Sequence, residues 1–294
     1  MTAYRALLDA LARPRLVGTP QHTITREILK RELAARGFVL MEHRFRAATR
    51  FPLRGRAAEG INLIAVRPRV RVATWLTAHY DSKGQPLSMA GRLLLVAAIA
   101  AAVPAALTAT LVGASPWWGL ALCGLPALFL VLNVVIDGSP GAVDNASGVL
   151  TVLATLDLLP PDAPVGAIFP DAEELGLVGA RALVRERANL LADTAVINFD
   201  GIDDRGGVIA FVHRPGTLTA SVAGALGARP RRRLPVVVDG LALAPATREC
   251  LTIMKGEWGT ARIVHTPRDR PDRLTLTGVQ HVAQAVAASI IQHL

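Results

Sequence analysis

Two glutamates stand side by side in the segment AIFPDAEELG, at Glu173 and Glu174, where an apolar run ends and a helix-like pattern begins. Neighbouring carboxylates repel each other, so some feature of their surroundings must make the pair favourable. One interpretation is a helix start, because the helix dipole stabilises negative charge near the N-terminus. The other is an acid/base couple, or a base beside a metal ligand. The pair alone does not separate these interpretations.

Four further segments carry histidine or aspartate at predicted strand ends or in a turn before a helix. LTAHYDSKG contributes His79 and Asp81, and side chains two positions apart on a strand point to the same face. The strand VINFD ends on Asp200, and ARIVH ends on His265. Asp144 lies in a glycine-rich turn, GAVDNASGVL, just before a predicted helix. Each residue has an ordinary structural explanation when taken alone, such as a helix cap for Asp144.

The whole set predicts a metal site. The carboxyl ends of strands in an open α/β sheet form its ligand-binding edge, so these side chains should converge there. Mixed histidine and carboxylate ligands suit zinc or a similar borderline metal. The set is too large for one tetrahedral ion, and two ions about 3.5–4 Å apart, bridged by one carboxylate, would use it fully. Such pairs are typical of aminopeptidases and other metallohydrolases.

The elements that must hold these residues alternate between strands and helices. The opening segment has helical periodicity to about Phe45, and Cys250 lies in a segment that we interpret as helical. Apolar or β-rich runs predict strands at 61–66, 72–80, 165–169, 194–200, 207–213 and 261–265. Helical patterns cover 148–159, 175–186 and 277–294. We therefore expect an α/β fold with a mixed, mostly parallel central sheet flanked by helices.

One segment breaks this alternation. Residues 91–137 contain two uncharged apolar runs, each about as long as the roughly 20 residues that a bilayer core requires. We predict an inserted hydrophobic helical hairpin that anchors the protein in membrane lipid, between the catalytic segments 1–90 and 138–294. Lys83 and Arg92 flank the hairpin, which favours a cytoplasmic catalytic domain. The alternative is a hairpin buried against a dimer partner.

The composition argues against nucleic acid as a partner. The formal net charge is +9, but aromatic residues make up only 4% of the chain, and there is no zinc-finger spacing or aromatic strand for reading bases. The single dense basic run covers only residues 231–233. A charge excess of this kind favours solubility or attraction to a membrane surface. The two cysteines, Cys123 and Cys250, lie far apart in the sequence, and we expect both to be reduced.

The order of the motifs HYDS, DNASG, EELG, NFDG and HT resembles the M28 family of co-catalytic zinc peptidases, over nearly the whole chain. The resemblance implies two zinc ions bridged by Asp144. It implies that His79 and Asp200 hold one ion, and that Glu174 and His265 hold the other. Two features depart from the family pattern. The apolar hairpin is inserted after HYDS, and ATRECLTIMKGEWG stands where relatives carry a patch that helps to shape the substrate pocket.

The same resemblance implies that Glu173 is the general base and that Asp81 orients His79. We therefore expect a membrane-associated di-zinc aminopeptidase that hydrolyses N-terminal residues from peptide substrates. One alternative is a glutaminyl cyclase, which HYDSK also resembles and which would use a single zinc, although the strand-end Asp200 favours two. The other alternative is a catalytically inactive membrane scaffold with the same fold. The intact set of ligand positions argues against the scaffold.

Overall fold

One eight-stranded sheet organises the residues that the computed structural model describes, which are 2–49, 57–113, 115–232 and 236–294. Residue 233 of the basic run lies outside these ranges. The strands are β1 (Val39–Ala47), β2 (Ala58–Val66), β3 (Thr74–Thr77), β4 (Val165–Phe169), β5 (Ala195–Ile202), β6 (Gly207–Arg214), β7 (Pro230–Arg231) and β8 (Glu249–Gly256). Their order across the sheet is β1-β2-β4-β3-β5-β8-β6-β7.

The four central strands β4, β3, β5 and β8 run parallel to one another. On either side of this group, β2 pairs antiparallel with β4, and β6 pairs antiparallel with β8. Strands of this kind are buried on both faces, which explains why VGAIF of β4 is apolar throughout and fully buried. Alternate side chains of β5 face opposite sides, so that Ile197 and Phe199 join one core and Val196 joins the other. The predicted mixed, mostly parallel sheet is confirmed.

Helices cover both faces of the sheet. They are α1 (Thr2–Leu11), α2 (Pro20–Ala35), α3 (Met89–Leu111), α4 (Pro116–Val131), α5 (Gly148–Leu158), α6 (Val178–Leu191), α7 (Thr217–Ala225), α8 (Asp239–Leu243), α9 (Trp258–Ala261) and α10 (Thr277–Ile291). Helices α5, α7 and α10 belong to the larger core, whereas α6 and α8 contact each other and belong to the core on the opposite face.

Three of the predicted elements are wrong. The helical interpretation to Phe45 fails because β1 begins at Val39, and the segment around Cys250 is strand β8. Residues 261–265 are not a strand: α9 ends at Ala261 and a turn follows, in which His265 has a φ of 67°. The β-branched pair in ARIVH suits a strand, but the local tertiary packing overrides that preference. Cys123 and Cys250 are both free, as expected.

Helices α3 and α4 form the inserted apolar pair and pack against each other. Within the described part of the chain, α3 alone is long and apolar enough to cross a membrane, with 23 residues and a mean hydropathy of 2.2. Helix α4 has only 16 residues, which corresponds to about 24 Å and is shorter than expected. Apolar side chains on the pair are exposed, including Leu111 at 87% and Trp117 at 75%.

Candidate metal centre

Three neighbouring parallel strands bring most of the predicted residues to one edge of the sheet. His79 and Asp81 follow the end of β3, and Asp200 lies in the second half of β5. Glu173 and Glu174 follow β4 in a single short 3₁₀ turn. Because β4, β3 and β5 are adjacent and parallel, their carboxyl ends meet, as the sequence predicted.

Asp144 and His265 reach the same place from loops. Asp269 fixes the loop of Asp144, because its carboxylate accepts hydrogen bonds from the backbone N–H groups of Val143 at 2.7 Å and of Asp144 at 3.1 Å. The His265 carbonyl accepts a hydrogen bond of 2.8 Å from the backbone N–H of Gln85. The sequence therefore predicted His265 correctly as a residue near the site, although the strand that was predicted to carry it is a turn.

The carboxylate of Asp144 lies between the two histidines. Its Oδ1 is 3.2 Å from His79 Nε2, and its Oδ2 is 2.9 Å from His265 Nε2. Glu174 Oε2 lies 3.2 Å from the same nitrogen of His265, and Glu173 Oε2 lies 3.9 Å from His79 Nε2. One carboxylate thus faces the potential ligand nitrogens of both histidines, which is the arrangement that a bridging ligand needs.

The donor atoms form two groups, within each of which all atoms lie within 4.8 Å of one another. The first group consists of His79, Glu173 and Asp200, and the second of Asp144, Glu174 and His265. This division differs in two respects from the resemblance, which gives Glu173 no ligand role and assigns Asp144 to both ions. We refer below to these sets as the His79 group and the His265 group.

Asp81 supports both glutamates as well as His79. Its two carboxylate oxygens accept hydrogen bonds from the backbone N–H groups of Glu173 and Glu174, each at 3.2 Å. Its Oδ1 also lies 3.3 Å from His79 Nδ1. Asp81 is completely buried, so it can hold these three residues without competition from water.

The two adjacent glutamates differ in their electrostatic surroundings. Burial alone would raise the pKa of Glu174, but His265 and the Lys83 ammonium, which is 2.7 Å from Glu174 Oε2, lower it to about 2. Burial raises the pKa of Glu173 well above its ordinary value, and His79 only partly offsets this effect. Nearby carboxylates, beginning with Glu174, raise it further. The pair therefore consists of one stable anion and one proton acceptor.

Sequence reasoning missed Asp239, which follows the apolar run VVV at the start of α8. It is completely buried, and neither of its carboxylate oxygens has a hydrogen-bond partner among the described residues. Burial, with an added contribution from Asp200, raises its pKa to about 8. Burial and the nearby Asp144 raise the pKa of Asp200 to about 7. An acidic residue directly after an apolar run was the available signal.

Arg15 was also missed, and it ties two of the site's segments together. Its buried guanidinium donates hydrogen bonds to the carbonyl oxygens of Tyr80 at 2.7 Å, Pro140 at 2.6 Å and Gly141 at 3.0 Å. Tyr80 is the neighbour of His79, and Gly141 lies just before Asp144. Gly141 has a φ of 60° and no room for a side chain, because a Cβ would lie 2.4 Å from the Asp144 carbonyl oxygen. No sequence motif marked Arg15.

The residues of the two groups fit zinc. The set supplies imidazole and carboxylate donors, which zinc accepts. Asp144 Oδ1 and Glu174 Oε1 are buried and have no hydrogen-bond partner among the residues that the structure describes. Carboxylates gathered in a buried site require compensating positive charge, and a divalent ion would supply it.

The sequence profile described as Peptidase family M28 matches residues 62–290. The chain belongs to peptidase family M28. This match confirms the predicted family and covers every residue of both donor groups. Zinc is therefore the expected metal.

Solved structures of M28-like proteins share the fold. A glutaminyl cyclase from Porphyromonas gingivalis has a TM-score of 0.66 at 18% identity, covering 100% of this chain and 98% of that one. A Zn-dependent exopeptidase from Parabacteroides distasonis has a TM-score of 0.64 at 17% identity, covering 98% and 95%. A leucine aminopeptidase precursor from Bacteroides thetaiotaomicron has a TM-score of 0.64 at 18% identity, covering 98% and 96%. Among curated proteins, no match is found.

A pocket of about 500 Å³ opens over the His79 and His265 groups. Its polar floor contains Asp144, Glu173, Glu174, Asp200 and His265. Its walls are largely apolar and include Ile209, Val238, Met254 and Trp258. The inserted helix α3 forms another part of the wall through Met89, Arg92, Leu93 and Val96. The insertion therefore borders the pocket directly.

Proposed function

We propose that the protein is a zinc-dependent aminopeptidase with two ions, which removes N-terminal residues from peptides. The observation that carries this proposal is the position of Asp144, whose two oxygens face the Nε2 atoms of His79 and His265 at 3.2 and 2.9 Å. In the proposed arrangement, His79 and Asp200 would hold one ion, Glu174 and His265 would hold the other, and Asp144 would be shared by both. When bound, zinc would supply Lewis-acid activation of a water molecule and of the scissile carbonyl.

Glu173 is proposed to move the proton. Its raised pKa makes it a stronger base than an exposed glutamate, and it has no ion-pair contact with Lys83 comparable to that of Glu174 among the residues described. It would accept a proton from the attacking water and donate it to the leaving amine. Asp81 would keep the carboxylate oriented, since it binds the backbone N–H of Glu173.

Two substitutions test these roles. Glu173→Gln should keep the wild-type zinc content and lose nearly all turnover, whereas Glu174→Gln should mainly lose zinc, because it removes a charged ligand. Zinc content is measured by elemental analysis of protein purified without chelator, and turnover by hydrolysis of an aminoacyl p-nitroanilide. Full activity in Glu173→Gln contradicts the role of general base. Loss of one ion in that variant would instead make Glu173 a ligand in the His79 group.

Glutaminyl cyclization is a second candidate, and a specific contact favours it. The Lys83 ammonium within HYDSK pairs with Glu174, 2.7 Å from its Oε2. This contact reduces the negative charge available to a second ion. A peptide with N-terminal glutamine distinguishes the two reactions, because cyclization releases ammonia without cleaving the chain. A stoichiometry of one zinc per chain would favour the cyclase.

We also propose that residues 91–137 anchor the catalytic segments 1–90 and 138–294 to a membrane, with the catalytic domain on the cytoplasmic side. The length and apolar character of α3, and the exposure of Trp118 at 69%, support this proposal. Peptides produced near the membrane would then be the substrates. Replacing residues 90–138 by a short linker should give protein that stays in solution without detergent. If the shortened protein still needs detergent, the anchor lies elsewhere.

A further inference from the structure

Two positively charged side chains contact the His265 group. The Lys83 ammonium lies 2.7 Å from Glu174 Oε2, and Arg92 Nη2 contacts His265 Nδ1. Within the described chain, no carboxylate lies within ion-pair distance of Arg92, and its buried Nε has no hydrogen-bond partner. The guanidinium is charged at every physiological pH. Its charge attracts the carboxylates of Glu174, Asp144 and Glu173, so it acts on the same donor residues that a metal ion would need.

Arg92 belongs to the inserted hairpin, and hydrogen bonds fix the base of that hairpin to the site. Gly84 and Ile136 exchange two backbone hydrogen bonds, at 2.7 and 2.9 Å, where the chain enters and leaves the insertion. The next residue, Gln85, donates its backbone N–H to the His265 carbonyl at 2.8 Å. Leu87 donates its backbone N–H to the side chain of Asn133 at 2.8 Å. The start of α3 is thus held in fixed relation to His265.

From these contacts we infer that Arg92 lowers the affinity of the His265 group for its metal ion, so that the hairpin controls how completely the two metal positions are filled. The inference rests on the two-ion arrangement proposed above. A divalent ion bound by His265 would lie close to a fixed positive charge, and like charges repel strongly in a buried site. The same ion would also compete with Lys83 for Glu174 Oε2. The His79 group, which Arg92 does not contact directly in the structure, should bind its ion more tightly.

This unequal binding gives the hairpin an effect on metal occupancy as well as a candidate role as an anchor. Because the start of α3 is held in fixed relation to His265, Arg92 stays next to the second ion's position and keeps that ion weakly bound, while the first ion remains tightly bound. Arg92 acts through a ligand and through the charge balance of the site, and it is therefore a positioning residue.

Zinc titration of the metal-free, full-length protein in detergent tests the inference. The wild-type protein should show a tight step and a weaker step by calorimetry or chelator competition. Arg92→Met, which keeps much of the length and removes the charge, should strengthen the weaker step by about tenfold or more and leave the tight step unchanged. Arg92→Lys, which keeps the charge, should resemble wild type. Arg262→Met removes an exposed arginine just after α9 and should change neither step.

Two outcomes overturn the inference. Either Arg92→Met leaves the zinc affinity of the weaker step unchanged, or it lowers that affinity further. If Arg92→Met does not fold, as judged by circular dichroism, Arg92→Gln provides the same comparison. Hydrolysis of an aminoacyl p-nitroanilide by the wild-type protein tests the proposed function separately. If the protein is active but Arg92→Met does not change the weaker zinc-binding step, only the inference is refuted. If the protein is inactive but the weaker step changes as expected, only the proposed activity is refuted.

Discussion

Substitution of Asp81 by asparagine should weaken both the fold and the metal centre. The carboxylate accepts hydrogen bonds from the backbone N–H groups of Glu173 and Glu174, at 3.2 Å each, and lies 3.3 Å from His79 Nδ1. Asparagine has nearly the same shape but only one acceptor oxygen. Its amide group must therefore face at least one N–H donor, and the negative charge beside His79 is lost.

The size of the effect follows from these contacts. A hydrogen bond to a charged group contributes about 1.5–3 kcal/mol, and leaving a buried donor unpaired costs a similar amount. We therefore expect Asp81→Asn to lower the free energy of unfolding by about 2–3 kcal/mol. A partner that orients a metal-binding histidine contributes about 10–100-fold to metal affinity, so zinc affinity in the His79 group should fall by that factor.

Asp171→Asn is the matched control. Asp171 is also fully buried and follows β4, but its carboxylate contacts His22 at 2.8 Å and Tyr80 at 2.7 Å, and neither residue belongs to a donor group. Chemical denaturation of the metal-free proteins measures stability, and zinc titration measures affinity. The control should lose stability and keep its zinc affinity. If both variants lose zinc affinity to the same extent, Asp81 has only a general structural role and the reasoning is refuted.

Three further substitutions test other contacts. Arg15→Met should lower the free energy of unfolding by about 3 kcal/mol in chemical denaturation, because three buried carbonyl oxygens lose their donor; an unchanged midpoint would contradict this. Asp269→Asn should weaken zinc binding in titrations, because it loosens the loop of Asp144, and normal affinity would exclude that role. Burial lowers the pKa of His213 from 6.5 to about 4, so protonation favours the unfolded chain. Stability should fall as the pH decreases through that interval, and less steeply in His213→Gln, as measured by denaturation at several pH values.

The sequence predicted the central strands well because their environment leaves a strong pattern. Residues of β4 and β5 are buried on both faces, so apolar runs such as VGAIF have few alternative explanations. Strand β1 lies at the sheet edge, where only His43 and Phe45 are buried, and its alternation was too weak to be distinguished from a helix. The segment ARIVH has strand-like composition, but its first residue ends α9 and the other four form a turn.

The ligand set was accessible from the sequence for a different reason. Histidine and carboxylate residues next to buried strands are conspicuous, and the topology of a parallel sheet predicts that they converge. The sequence carries only a weak signal for Asp239, an acidic residue after an apolar run, and no signal that Arg92 is a neighbour of the same site. Their proximity depends on the path of α8 and of the insertion, which only the three-dimensional structure reveals.

The point of insertion explains why the two donor groups should respond differently to the hairpin. The insertion lies between Asp81 and Asp144, and its base bonds to the backbone of His265. In the His79 group, by contrast, Glu173 and Asp200 are carried by β4 and β5, neighbours of β3 in the sheet, and Asp81 binds the turn of Glu173. Loss of the Arg92 charge should therefore affect His265 first. The His79 group is coupled to the His265 group by two residues: Asp144, whose carboxylate faces both histidines, and Asp81, which binds the backbone of Glu173 and Glu174.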